Sequence, residues 1–192
     1  MLVKPMNLHE FAGNLSIKKQ LNDLKEKPKA ILITGKSGCG KSVLARLIAK
    51  KYSSSYRESV DEYLMTGDVN VTDDIFEYSL DYYYIPYTGL VIVDDVEMLP
   101  ISTQTAIYRD TSERALSIFC VGGESKVIDR ILNYCDIKLN IELPERDEIL
   151  AYLMYCCEKV GKYISTDELY AIIDGSSGMR EMIVKMNLEV NN

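Results

Sequence analysis

The stretch Ala30-Ile31-Leu32-Ile33-Thr34-Gly35-Lys36-Ser37-Gly38-Cys39-Gly40-Lys41-Ser42-Val43-Leu44 decides how the rest of the chain is read. From Gly35 to Ser42 it matches the phosphate-binding pattern GxxxxGK[ST] at every specified position. Its flanks are the ones the pattern needs. Ala30 to Thr34 is an apolar run of strand length, and Val43, Leu44, Leu47 and Ile48 recur on one helical face after Ser42. A strand entering and a helix leaving would turn the backbone N–H groups of Gly35, Lys36, Ser37, Gly38, Cys39, Gly40, Lys41, Ser42 and Val43 toward the phosphates of a nucleotide. Lys41 would then reach the outer phosphates, and the Ser42 hydroxyl would hold Mg²⁺. The glycines let the backbone turn and approach the ligand with no Cβ in the way.

A second apolar run, Leu90-Val91-Ile92-Val93, ends in Asp94-Asp95. Open parallel sheets present ligand-contacting groups at such strand ends. Downstream of a phosphate loop, Asp94 is expected to hold Mg²⁺ with Ser42, directly or through water, and Asp95 to position an attacking water. Glu97 is the weaker candidate for either role. The plain alternative is a turn whose aspartates cap the next helix.

Around these two strands the pattern predicts a leading segment over 1–14, a helix near 15–26, the strand at 30–34 and the loop-to-helix unit through Tyr52. A strand near 60–65 and a short helix near 73–81 come next. Beyond the strand at Leu90 the pattern gives a helix near 102–112, a strand from Leu116 to Val121, a short helix, and a last strand in which Ile137, Leu139 and Ile141 alternate with polar residues. Strands alternating with helices imply an α/β fold with a mainly parallel five-stranded sheet covered on both faces.

After Pro144 only helical periodicity remains. Ile149, Leu150, Leu153, Met154 and Cys157 form one stripe, Ser165 with Glu168 makes a capping box, and Ser177 is placed to cap a last helix. The chain therefore divides into a nucleotide-binding core at 1–143 and a small all-helical lid at 144–192.

Composition narrows the function. The 29 acidic residues against 22 basic ones give a formal charge of −7, which argues against broad binding to nucleic acid. The charge is uneven: Lys18 to Arg57 is basic, and Asp61 to Asp81 is acidic. Five cysteines without CxxC spacing and a single histidine, His9, exclude a zinc or disulfide framework. No apolar run approaches the length of a membrane span, and no secretory core opens the chain. A cytoplasmic protein without membrane contact is the expectation. The tyrosines at 78, 82, 83, 84 and 87 suit packing or a protein contact better than base stacking, because Asp74, Glu77 and Asp81 would repel a nucleic-acid backbone.

On these motifs the chain resembles the AAA+ ATPases and, among them, the small subunits of sliding-clamp loaders. The segment Lys4 to Asn14 is similar to the leading segment that wraps the adenine base in that family. The resemblance thus implies that Phe11 and Ala12 lie near the nucleotide, although Phe11 reads equally well as a core residue. Gln104-Thr105-Ala106-Ile107-Tyr108-Arg109 is similar to a helix thought to couple DNA contact to the nucleotide site, and Gly178-Met179-Arg180 to the lid motif whose arginine touches the γ-phosphate. The resemblance implies ATP or ADP with Mg²⁺, other protein subunits as partners, and DNA reached through those partners.

Departures from the pattern bear on turnover. Asn133-Tyr134-Cys135 stands where the family carries a serine-arginine-cysteine finger, and Arg130 is the nearest replacement. The polar sensor residue falls at Gly122 or Gly123. Asp95 replaces a glutamate, as in bacterial replication initiators of the same superfamily, and the collar domain is not expected. The result would be nucleotide binding with slow or partner-dependent hydrolysis. Two other classes stay open: a small nucleotide kinase, for which Arg146 and Arg180 are few, and a catalytically silent nucleotide-binding scaffold.

Overall fold

The computed structural model of the protein describes residues 5–52, 82–85, 90–111 and 116–191. Its strands are β1 (Ala30–Thr34), β2 (Tyr82–Ile85), β3 (Leu90–Val93), β4 (Leu116–Val121) and β5 (Ile137–Asn140), in the sheet order β2-β3-β4-β1-β5. β3, β4, β1 and β5 run parallel, while β2 is antiparallel to β3 at one edge. The central strands are buried along nearly their whole length and apolar except for Ser117 and Thr34, because both faces are covered. Alternation along β1 divides the work. Ile31 and Ile33 join Leu21 of α1 (Leu15–Asp23) and Leu44 and Ile48 of α2 (Lys41–Tyr52). Ala30 and Leu32 face the other way, toward Ile107 of α3 (Ile101–Thr111) and Ile131 of α4 (Asp129–Tyr134). Each such Leu or Ile, fully buried, contributes about 1.5–3 kcal/mol. On the edge strand β5 only Leu139 is buried, and its neighbours Lys138 and Asn140 are exposed.

Polar groups fasten the layers at particular points. The Asp136 carboxylate accepts from the Lys29 and Ala30 amides at 2.7 and 3.3 Å, which joins the starts of β1 and β5. Gln104 on α3 is buried and fully used. Its Nε2 donates to the Leu99 and Lys126 carbonyls at 3.0 and 2.9 Å, and its Oε1 accepts from the Ile128 amide at 2.9 Å.

Three helices follow β5: α5 (Arg146–Lys159), α6 (Thr166–Asp174) and α7 (Met179–Asn191), packed around their own cluster of Leu153, Cys156, Leu169, Met182 and Met186. The capping box at Ser165 and Glu168 is formed. Arg146 makes a two-point contact with Asp174, at 3.0 and 2.6 Å, and its guanidinium lies 4.1 Å from the centre of the Tyr170 ring. The leading segment straps this unit to the core. The Asn14 side chain exchanges hydrogen bonds with the Glu142 backbone at 3.0 and 3.1 Å, and Lys18 donates to the Phe11 carbonyl at 2.7 Å.

Several expectations change. α1 ends at Asp23 rather than near 26, because Leu24 is already extended. The strand near 60–65 and the helix near 73–81 fall outside the described residues. The segment at 82–85, read above for its tyrosines, is an edge strand paired through its backbone to β3. Met154 is half exposed, and Tyr152 and Cys156 turn inward instead. Ser177 does not cap α7 as an acceptor: its amide and hydroxyl both donate to the Glu181 carboxylate, at 2.9 and 2.8 Å. Replacing Gln104 by Leu would remove the side-chain partner of three part-buried backbone groups, the Leu99 and Lys126 carbonyls and the Ile128 amide. A loss of about 2–4 kcal/mol is expected, seen as a lower urea midpoint with an unchanged slope.

Candidate phosphate-binding site

β1 emerges between β4 and β5 and delivers the glycine-rich loop to the C-terminal edge of the sheet. Gly35, Gly38 and Gly40 all have positive φ, at 154°, 80° and 103°. The Lys41 side chain is buried and folds back over the turn, with Nζ donating to the Gly35 and Lys36 carbonyls at 2.9 and 3.3 Å. Cys39 points into the core, where burial pushes its thiol pKa up and Lys41 partly offsets the shift. Its chemistry is thereby muted, and the loop presents backbone rather than sulfur. The Leu44 amide donates to the Gly40 carbonyl at 2.9 Å. The amides of the first helical turn, Lys41 to Val43, precede that bond and have no acceptor within α2. Such a cradle, with a cationic side chain beside it, fits a polyphosphate.

Asp94 directly follows β3, and its Oδ1 accepts from the Asp95 amide at 3.1 Å. Asp95 takes a left-handed backbone conformation, φ 49°, and starts the short turn Val96–Met98. Its carboxyl is raised above the ordinary range by partial desolvation first, then by the charges of Asp94 and Glu97, with Lys41 and Arg180 pulling it down. Asp95 therefore stands within the field of the loop lysine, the neighbouring carboxylates and the α7 arginine together. Among the described residues no group of three or more His, Cys, Asp or Glu side chains is gathered to hold a metal. The pair Ser42 and Asp94 is chemically suited to a hard cation such as Mg²⁺ that takes its other oxygens from phosphate and water.

α7 closes on the loop directly. The Met179 amide donates to the Gly38 carbonyl at 3.1 Å. A Cβ on Gly178 would meet the Gly38 backbone at 3.3 Å, so glycine eases this close approach. Arg180 follows and is exposed. Phe11 is buried in the core with its ring against Gly40, where an added Cβ would meet it at 3.1 Å. Ala12 packs on the three-helix cluster. A cavity of about 440 Å³ opens beside the loop, lined by Gly35, Lys36, Ser37 and Cys39 on one side and by Asn140 to Leu143 and Ser177 on the other. Phe11 and Ala12 are not among its lining residues. The lining from β5 was missed in the sequence, where its only signal was a strand adjacent to the loop-bearing one. Tyr134 packs edge-on against Tyr108, with ring centres 5.7 Å apart, and its hydroxyl donates to the Thr111 carbonyl at 3.4 Å.

A phosphate loop after the central strand, paired acidic residues after β3 and helices on both faces of the sheet define the AAA+ ATPase fold. Residues 13–125 match the family model described as Sigma-54 interaction domain, and the chain belongs to that family. Solved structures share the fold at low identity. The RuvB Holliday junction branch migration motor of Thermotoga maritima superposes with a TM-score of 0.74 at 17% identity, over 97% of this chain and 65% of that one. Domain III of the Thermotoga maritima replication initiation protein DnaA gives 0.60 at 15%, over 95% and 82%. A DNA replication initiation factor gives 0.59 at 17%, over 96% and 65%. The chain thus spans a little under two thirds of the RuvB length. No curated protein sequence matches it. Among the described residues no helix is long and apolar enough to cross a membrane.

Glu181 steadies the cavity wall by holding Ser177 and by pairing with Lys185 at 2.7 Å. Its carboxyl is lowered from 4.5 to about 2, first by Lys185 and then by Ser177. A depressed folded-state pKa adds stability that is complete above 4.5 and is lost as the pH falls toward 2. Glu181→Gln should flatten that acid limb, measured as urea midpoints across this interval.

Proposed function

We propose that the protein binds ATP or ADP with Mg²⁺ and acts as a nucleotide-gated assembly factor, with slow or partner-dependent hydrolysis. In this reading Gly35 to Val43 hold the phosphates and Lys41 neutralises the outer ones. Ser42 and Asp94 hold Mg²⁺, which when bound draws charge from the phosphate oxygens. Asp95 orients the attacking water, and Arg180 reaches the terminal phosphate from α7. Residues 1–143 form the core and 144–192 a lid, with Phe11 and Ala12 beside the nucleotide. The observation that carries the reading is the meeting of three parts at one sheet edge: the loop with its buried Lys41, the Asp94-Asp95 turn, and the N-terminus of α7 bonded to Gly38.

Slow turnover is supported by two features of the chain. Gly122 and Gly123 place no side chain after β4, and Tyr134, which the resemblance sets where the family carries its finger arginine, packs on Tyr108 and supplies no positive charge. A finger in trans is worth orders of magnitude in rate. The DNA-processing roles printed for the structural relatives favour work in DNA replication, either clamp-loader-like or helicase-loader-like, through other subunits and with DNA reached through them. The kinase reading weakens further, because Arg146 is engaged with Asp174 and Tyr170. A catalytically silent scaffold is the second reading, favoured by the same bare β4 end.

Calorimetry with Mg-ATP should show one site, and Lys41→Ala should abolish it. At a nucleotide concentration of about 100 times Kd the wild type should gain about 2.7 kcal/mol of stability that Lys41→Ala lacks. Failure of the wild type to take up any adenine nucleotide would sink the proposal. Light scattering with ATP, alone and with primed DNA, tests the gating: an unchanged mass throughout would favour the scaffold.

A further inference from the structure

The edge of the sheet opposite the phosphate loop carries a charge that the chain as a whole does not. The connector from α1 to β1 holds Lys25, Lys27 and Lys29, all exposed. It is a fixed piece of backbone. Leu24 packs on the core, Pro28 is buried, and the Lys29 amide donates to the Asp136 carboxylate at 2.7 Å. α2 returns to the same edge. There Lys51 donates through Nζ to the Leu21 carbonyl near the end of α1, and Lys50 stands exposed before it. The acidic residues of these segments are Asp23, Glu26 and Asp136, and Asp136 is spent on the Lys29 and Ala30 amides. Among the described residues no carboxylate pairs with Lys25, Lys27, Lys29 or Lys50. The large exposed apolar side chains, such as Met98, Ile101, Met154, Tyr163 and Leu188, belong to other elements.

That composition selects the partner. A protein surface is held through an apolar or aromatic centre, from which lysine is depleted. A membrane bound through lysines also takes an apolar or acyl anchor. A nucleic-acid backbone asks for neither, because each lysine neutralises a phosphate and releases its counter-ion. We propose that the rim formed by Lys25, Lys27, Lys29, Lys50 and Lys51 is a direct contact surface for the phosphate backbone of nucleic acid, bound without regard to base sequence. Lysines are point charges that hold phosphate, whereas reading a guanine edge takes the arginine fork. The net charge of −7 sets the rest of the molecule against a polyanion and confines the contact to this rim. The rim lies across the sheet from the nucleotide site, so it does not rest on the ATP-binding reading, and it is separate from DNA reached through other subunits.

Fluorescence anisotropy of the full chain with two short labelled DNA duplexes of unrelated sequence tests the contact. Both duplexes should bind alike, log K falling against log salt with a slope of about −3 to −4, the release expected for about 0.9 counter-ion at each phosphate neutralised. The combined variant Lys25→Gln, Lys27→Gln, Lys29→Gln should bind about 10-fold or more weakly at low salt. Lys50→Gln, on α2, should reduce the slope by about 1. Lys126→Gln with Lys162→Gln, exposed on other elements, should stay near wild type. Melting temperature and Mg-ATP affinity, measured on the same samples, should not change. Absence of DNA binding by the wild type at low salt would overturn the inference. So would wild-type binding by the combined variant, an equal loss in the Lys126 and Lys162 control, or capture by phosphatidylserine vesicles in place of DNA. None of these outcomes bears on ATP uptake.

Discussion

Hydrogen bonding of β1 to β4 on one side and to β5 on the other is the constraint from which the rest of the molecule follows. A strand paired on both edges and buried on both faces has one way out, which is over the C-terminal edge of the sheet. The glycine loop is therefore delivered to the C-terminal edge of the sheet, where a cavity opens between the loop, the end of β5 and Ser177, the position at which open α/β sheets take ligands. α2 then packs back on the sheet through Leu44 and Ile48, which aims its N-terminus at the same edge. Burial of a few apolar side chains thus positions a polar site that makes little contribution to the core itself.

The site balances charge within a chain that is acidic overall. Lys41 is brought inward, and its ammonium is held by the Gly35 and Lys36 carbonyls inside the turn of the loop. Asp95 feels the charges of Asp94 and Glu97, and Lys41 and Arg180 partly offset that repulsion. Such an arrangement favours a ligand that brings a divalent cation along with phosphate, because each partner neutralises one wall. Arg180 belongs to α7, so the three-helix unit takes part in that balance, as does the bond from Met179 to the Gly38 carbonyl.

The strap formed by the leading residues explains how core and helices share one geometry. Phe11 packs under the loop at Gly40, Ala12 joins the helical cluster, and Asn14 grips the Glu142 backbone ahead of α5. Within four residues the chain touches loop, helices and connector. A shift in any one of the three is thereby felt by the others, which is the physical requirement for nucleotide to influence the outer surface.

Sequence alone determined the parts whose signals are local. Continuous apolar runs marked β1, β3 and β4, glycine spacing marked the loop, and the Ser165–Glu168 pair marked the start of α6, because each depends on side-chain period or on capping within one turn. Tertiary structure decided what depends on which surfaces meet. The pairing of β2 with β3 is made through the backbone and leaves no pattern in its tyrosines. Met154 gave way to Cys156 in the helical core because α6 and α7 choose the face of α5 they cover. Phe11 under Gly40, Asn140 to Leu143 along the cavity, and Glu97 on the Gly122 amide join residues far apart in the chain or in neighbouring turns. No periodicity records such contacts, since their energy comes from fit and hydrogen bonding across elements rather than from any property of the segments taken singly.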